Sequence, residues 1–411
     1  RSLMAGLAAV SSGAGALAGG ADNSPVNTSA KRLLIVFQVG GVSQFESWDP
    51  KPGTATGGPF QAIPTSVPGL HVSELLPHTA AQMHHLAIVR SMSTRDNDHD
   101  TGRFSVMAGR RKAGLRYPDM GCVAHKYLTP AGHSVPGHVA LERYDKPNEW
   151  SATFLGPKYE PVRLFGGELP ANIALPDSRT ADFERRRQTL RQQLNAEFDK
   201  KRGNADSAAY AQSFESARSL MRNRKLFDVN REPDRDHERY GRHPMGQRCL
   251  LARRLLEKGV TCVRVCHGSY QQHYDTHSDH FNVHPDLLEQ FDRPFACLLH
   301  DMAESGLLEE TLIVCLGDFG RTPTINANMG RDHYSAHWSL ALAGTGLKRG
   351  IAVGMTDKQG VEVKVGRVNV AQIFHTVMTA LGIDPTHNHE VAGDPIPIGN
   401  PDSTAIPELL A

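Results

Sequence analysis

The chain of 411 residues has little of what usually points to a function. Its six cysteines are too few and too scattered for a disulfide scaffold, and no CxxC pair offers a zinc knuckle. Neither sign of charge dominates. With 45 Lys and Arg against 44 Asp and Glu, there is no basic excess to neutralise a phosphate backbone, so a nucleic-acid partner is not expected. No run of about 18 apolar residues occurs after position 30, so no membrane span is expected there. The chain has no GxSxG nucleophile elbow, no HExxH and no P-loop. Gly344-Thr345-Gly346 lacks the third glycine and the downstream acid of a dinucleotide fingerprint and reads as a turn.

What remains is an ordinary globular composition, 39% hydrophobic and 22% charged, with an unusual 21 histidines. Residues 1–20 (RSLMAGLAAVSSGAGALAGG) pair an arginine with a weakly apolar stretch. Ala16-Leu17-Ala18 has the small-x-small form of a cleavage site. The expectation is the remnant of a twin-arginine-like export signal over 1–30, with the folded part at 31–411 working in the periplasm or outside the cell.

Short apolar, β-branched runs read as buried strands: Leu33–Val39, Leu86–Arg90, Thr261–Cys266, Thr311–Leu316 and Ser339–Ala343. Leu287, Leu288, Phe291, Phe295, Leu298, Leu299 and Met302 fall on one helical stripe, and Leu250–Leu256 make a helix ending near Gly259. Alternating strands and helices predict an α/β fold, a mostly parallel central sheet sandwiched by helices. The stretch around 177–245 is charged and helix-prone and reads as a helical insertion. In it Phe183, Leu190, Leu194 and Phe198 share the face expected to rest on the core. Cys262, Cys266, Cys297 and Cys315 lie in apolar runs and read as buried free thiols.

The polar chemistry collects in loops after strands, where ligands of parallel sheets bind. These are Gly40–Pro50 with Glu46 and Asp49, Arg95–Arg103, His273–His280, Gly317–Arg321, and Arg331-Asp332-His333. Mixed Asp and His sets suit Zn or Mn better than Ca or Mg, which prefer oxygen alone. The expected metal ligands are Asp275, His277, Asp318 and His333, with His99 and Arg103 facing them. Arg321 and Arg331, forks of donors in the same loops, are the expected substrate-binding residues.

The segments GGVSQFESWDPKPG, LAIVRSMSTRDNDHDTGRF, YDTHSDHFN, GDFGRTPTIN and GRDHYSAHWSLALAGTG together resemble the bacterial domain of unknown function 1501 family. That family is exported and belongs to the alkaline phosphatase and sulfatase superfamily. The resemblance implies an alkaline phosphatase-like fold, one or two divalent metals, and attack on a phosphate or sulfate ester, with a small molecule or a polysaccharide as substrate. Asp275 and His277 resemble one ligand segment of the superfamily, Asp318 and His333 the ligands of later ones. The departures are specific. No C/S-x-P-x-R sulfatase motif occurs, and registering its helix puts His99 in the nucleophile position, Arg103 at the motif's arginine and Thr101 as the one nearby hydroxyl. Gly40-Gly41 stand where relatives carry aspartates, which leaves Glu46 or Asp49 to supply that ligand, and Phe319 replaces a histidine. The expectation is a metal-dependent ester hydrolase. The alternative is a catalytically degenerate binding protein of the same fold. The oligomeric state is not legible.

Overall fold

A computed structural model describes residues 31–111, 114–142, 151–165, 173, 180–202, 205–268, 273–391 and 393–411. The expected signal over 1–30 lies outside the described residues. No described helix is long and apolar enough to cross a membrane.

Nine strands form one sheet: β1 (Arg32–Gln38), β2 (Leu86–Ser93), β3 (His138–Glu142), β4 (Val162–Phe165), β5 (Cys262–His267), β6 (Thr311–Gly317), β7 (Trp338–Gly344), β8 (Ile351–Val353) and β9 (Val368–Asn369). Their spatial order is β8-β2-β7-β6-β1-β5-β3-β4, with β9 also pairing with β2. β1 lies in the middle, its Val36 flanked in parallel register by Val265 of β5 and Cys315 of β6. From Leu33 to Gln38 every residue is buried, so the strand reads as a continuous apolar run rather than an alternation.

The longer helices are α1 (His99–Ala108), α2 (Met120–Leu128), α3 (Ala181–Arg202), α4 (Ala205–Arg222), α5 (Pro244–Glu257), α6 (His280–Glu304) and α7 (Val370–Ala380). On one face of the sheet, Leu34, Val36, Val265 and Ile313 pack against α5 and α6. On the other, Leu33, Ile35 and Phe37 pack against α1, α2 and α7. All seven residues of the expected α6 stripe are buried. Each contributes about 1.5–3 kcal/mol by leaving water, which fixes the helix although Pro285 and Pro294 lie inside it.

Two features differ from the sequence reading. Strand β7, read as a sister of the others, runs antiparallel to β2 and β6. The chain between β6 and β7 supplies no crossover helix. It turns back through a small ladder in which Gly320-Arg321 pair antiparallel with His333-Tyr334, and a short return of this kind reverses direction. The reversal matters for the site, because β7 starts at the edge where its antiparallel neighbours β2 and β6 end. The second difference is α3. Phe183, Leu190, Leu194 and Phe198 are about half exposed rather than seated on the core. The opposite, polar face carries the packing instead, with Gln188 buried, Arg191 paired with Glu215 of α4 at 2.6 Å and its guanidinium 4.3 Å over the Phe214 ring. All six cysteines are free, and Cys297 alone is not fully buried.

Candidate metal centre

Four chain segments meet at the carboxyl edge. Helix α1 opens with His99 because Asp98 caps it, its carboxylate accepting from the Asp100 and Thr101 amides. Gly40, just past β1, has φ +101°, and a Cβ there would sit 2.6 Å from the Asp275 amide nitrogen. The loop after β5 brings Asp275 and His277. Gly330 allows the return ladder to approach that loop, since a Cβ would fall 1.9 Å from the His277 carbonyl oxygen. His333 then arrives ahead of the reversed strand β7.

The Asp275 carboxylate is the meeting point. Its Oδ1 lies 2.9 Å from His277 Nε2, 2.9 Å from His333 Nε2 and 2.7 Å from Arg321 Nη2, and its Oδ2 lies 3.2 Å from His99 Nε2. The two imidazole nitrogens His277 Nε2 and His333 Nε2 are themselves 3.0 Å apart. His99, Asp275 and His333 offer ligand atoms all within 4.8 Å of one another.

The far side of each ring settles what these nitrogens can do. His333 Nδ1 lies 2.6 Å from the Asn97 carbonyl oxygen, which can only accept, so Nδ1 carries the proton. His277 Nδ1 faces the Asp332 carboxylate at 2.7 Å and His99 Nδ1 faces Asp318 Oδ2 at 2.6 Å. In the neutral tautomer each ring therefore turns a bare Nε2 lone pair toward the same carboxylate. Three lone pairs and an anion converge on one point, an arrangement that only protons or a cation can satisfy. Metal-binding imidazoles show this pattern, with the other nitrogen donating to a carboxylate or a carbonyl.

A proton competes with a cation for this place. Burial works against a charged His99, but the Asp275 and Asp318 carboxylates outweigh it and lift the imidazole to about 9. Burial likewise works against an ionised Asp275, yet His333, His99 and Arg321 hold it far below the ordinary carboxylate range. Asp318 is fully buried. Its Oδ2 accepts from His99 and from the Gly40 amide, while Oδ1 has no hydrogen-bond partner. Phe319 lies against the rings of His99 and His333, at 4.8 and 4.6 Å between centroids, and walls the centre on one side.

Other expected residues lie apart from this point. Glu46 is wholly buried, with one oxygen 3.0 Å from His280 Nε2 and the other 2.8 Å from Arg331 Nη2. Asp49 accepts from Thr356 and pairs with Lys51. Both carboxylates are committed elsewhere, so neither stands in for the missing strand-one aspartate. Arg331 spends its guanidinium on Glu46 and the carbonyls of Thr56, Thr322 and Pro323, bracing one loop against another. Arg321, also buried, holds Asp275 and the carbonyls of Gly40, Gly41 and Arg331. Thr101 Oγ1 bonds to Asp98 within the cap at 3.1 Å, and Arg103 pairs with Asp100 on its own helix. The sequence reading missed the Asn97 carbonyl and the Gly40 amide, which carry no side-chain signal. It also passed over His280 and His284, whose four-residue spacing at the start of a helix was visible.

The fold and site define an α/β protein with a histidine- and aspartate-lined centre at the carboxyl edge of its sheet. The chain belongs to a family described as a protein of unknown function (DUF1501), matched over residues 30–410. No curated protein matches it. Among solved structures it is similar to the lipoteichoic acid synthase LtaP from Listeria monocytogenes, with 10% identity and a TM-score of 0.41 over 91% of this chain and 75% of that one. It is also similar to a protein in the alkaline phosphatase superfamily from Vibrio parahaemolyticus, with 10% identity and a TM-score of 0.42 over 89% and 69%. A third is the C-terminal periplasmic domain of EcEptC from Escherichia coli in complex with Zn, with 10% identity and a TM-score of 0.40 over 87% and 86%.

Proposed function

We propose that this chain is a metal-dependent hydrolase of phosphate or sulfate esters, with Asp275 and the Nε2 atoms of His99, His277 and His333 as the ligands of one divalent cation. The single observation that carries the reading is the convergence of three imidazole lone pairs on one carboxylate, each ring held by an acceptor behind it. Three nitrogens and one oxygen suit Zn or Mn. His99 thereby moves from the nucleophile position to the ligand set, and Asp318 moves behind it, orienting its ring. A bound cation supplies polarisation of an ester oxygen and neutralises charge that builds on the reacting group. The chain's own part is to hold the ligands: Arg321 fixes the Asp275 carboxylate, while Asn97, Asp332 and Asp318 fix the three tautomers. With Thr101 engaged in the α1 cap, the attacking group is water rather than a side-chain hydroxyl. The signal-like residues 1–20 support a place outside the cytoplasm, which N-terminal sequencing of the protein from its host tests.

Metal analysis of the purified chain, joined to a panel of aryl phosphate and sulfate esters, tests the proposal. Stoichiometric metal with metal-dependent turnover is expected, and a chain that takes up no Zn or Mn overturns it. The second reading, a binding protein of the same fold, is favoured by the engaged Thr101 and Arg103. It predicts metal uptake with no turnover on any ester.

A further inference from the structure

Directly behind the candidate centre lies a second polar chain, closed to solvent. Its start is the Ser43 amide, which donates to His284 Nε2 at 3.0 Å. That bond makes Nε2 the acceptor, so the ring's proton sits on Nδ1, which points at Thr276 Oγ1 at 3.3 Å. Thr276 Oγ1 in turn lies 2.6 Å from His280 Nδ1, and His280 Nε2 lies 3.0 Å from Glu46 Oε2. The other Glu46 oxygen takes Arg331 Nη2 at 2.8 Å, and the Arg331 amide returns to the Thr276 carbonyl at 3.1 Å. Glu46, His280, His284 and Arg331 are all completely buried, and Thr276 nearly so.

The direction of every proton follows from its neighbours. Glu46 stays an anion, because His280 and Arg331 outweigh the cost of burial. His284 stays neutral, held well down by burial and by the nearby charges of Arg321 and Arg331. His280 therefore donates from Nε2 to Glu46 and accepts at Nδ1 from the Thr276 hydroxyl. Thr276 accepts from the His284 imidazole and donates to His280 at 2.6 Å, a closer acceptor than the Tyr274 carbonyl at 3.3 Å, a double role that needs a hydroxyl. It is also the residue between two of the four proposed ligands, Asp275 and His277.

We infer that Thr276, with His280 and Glu46 behind it, is the positioning device of the metal centre, setting the backbone that carries Asp275 and His277. The inference rests on the metal-centre reading above. The relay ties three separate segments together: the loop after β1, the start of α6 and the return ladder before β7. The chain spends four buried ionisable side chains on a segment three residues long, Asp275-Thr276-His277. Groups hydrogen-bonded directly to a metal ligand typically change affinity by about 10–100-fold when removed, and Thr276 acts on two ligands through the backbone they share.

The test is zinc affinity, measured by competition against a chromophoric chelator on the full chain. Thr276→Val keeps the shape and removes the hydroxyl, and is expected to weaken zinc binding about 10–100-fold. Thr276→Ser restores donor and acceptor together, and is expected to return affinity to within about threefold of wild type. The d–d spectrum of the Co(II)-loaded protein should shift in T276V and revert in T276S, which a merely structural role would not produce. If T276V fails to fold, Thr276→Ala and Glu46→Gln carry the same comparison. Wild type and T276V binding zinc equally, with the same Co(II) spectrum, overturns this inference alone. A wild type that binds no zinc overturns the reading of the site, and this inference with it.

Discussion

Among the described residues, two groups of side chains have the composition of a metal site, and they differ in what they are short of. On the α2 face of the sheet, Asp119, Cys122 and His138 lie close enough together to share an ion. There the acids are already answered. Arg264, fully buried, donates to Asp119 Oδ2 at 3.1 Å and to Glu142 Oε1 at 2.8 Å, and the Cys122 amide takes Asp119 Oδ1 at 2.7 Å. Burial, with Asp119 beside it, pushes the Cys122 thiol well up, and burial pushes His138 well down. The thiol keeps its proton, and Arg264 together with Arg163, 3.7 Å from Glu142, answers the two carboxylates, which leaves His138 Nε2 as the one ligand atom of the three residues without a hydrogen-bond partner. At the carboxyl edge the same residue types leave three lone pairs and a carboxylate facing one another. Ligand identity does not distinguish the two; the balance of protons and acceptors does.

Arg264→Met probes the closed group most severely. It strands Asp119 and Glu142 as buried anions and is expected to cost about 3–5 kcal/mol in denaturant unfolding. Zinc content of the folded fraction should not change, and a loss of metal there would erase the distinction between the two groups. Asp275→Asn probes the open group. It is expected to weaken zinc binding by more than about 100-fold, roughly 2.7 kcal/mol, while far-ultraviolet dichroism stays that of the wild type. Cys122→Ser, measured alongside, should bind zinc as the wild type does.

Asp301 on α6 is a half-open counterpart of the Arg264 group, bonded to Arg239, Arg253 and Tyr240. Burial works against its charge, but hydrogen bonds from Arg239 and Tyr240 hold its carboxyl below the ordinary value. A depressed folded-state pKa means the contribution is present above the unfolded value, 3.8, and is lost as pH falls toward the folded one. Asp301→Asn should therefore cost about 1–3 kcal/mol at pH 7, with the gap to wild type closing as pH falls below 3.8 in urea titrations. The smallest effect is expected on α3. Leu194→Ala, on the exposed stripe, should change stability by less than about 0.5 kcal/mol, against about 2–5 kcal/mol for Leu255→Ala on buried α5. A large effect at Leu194 would mean that the stripe is covered in solution.

Much of the sheet was legible because its strands are buried on both faces. LLIVFQ, TCVRVC and TLIVCL announce themselves as continuous apolar runs, and the α6 stripe does so by its 3.6-residue period. The edge strand Val162–Phe165 was not visible, since four residues, one buried, one exposed and two between, carry too little pattern to separate from loop. Periodicity also misled on α3. It gave the correct face for Phe183, Leu190, Leu194 and Phe198, but not which way that face turns, which Arg191 and Glu215 decide through a contact with another helix. At the site, the acids and imidazoles were named by their place after strands. The partner of each was beyond reach, because Asn97 acts through a carbonyl, Gly40 through an amide, and Glu46 by a bond to a histidine 234 positions away.

The sequence by itself determined the helix–strand alternation, the parallel core and the set of chemical groups delivered to one edge, all of which are local patterns of burial and period. Only the tertiary structure decided that β7 reverses, that His333 meets Asp275 and His277, and that Glu46 and Arg331 brace the loops from inside. Those outcomes depend on which donor faces which acceptor across long stretches of chain. A lone pair is satisfied by whatever atom the fold puts within about 3 Å, and no spacing along the sequence encodes that distance.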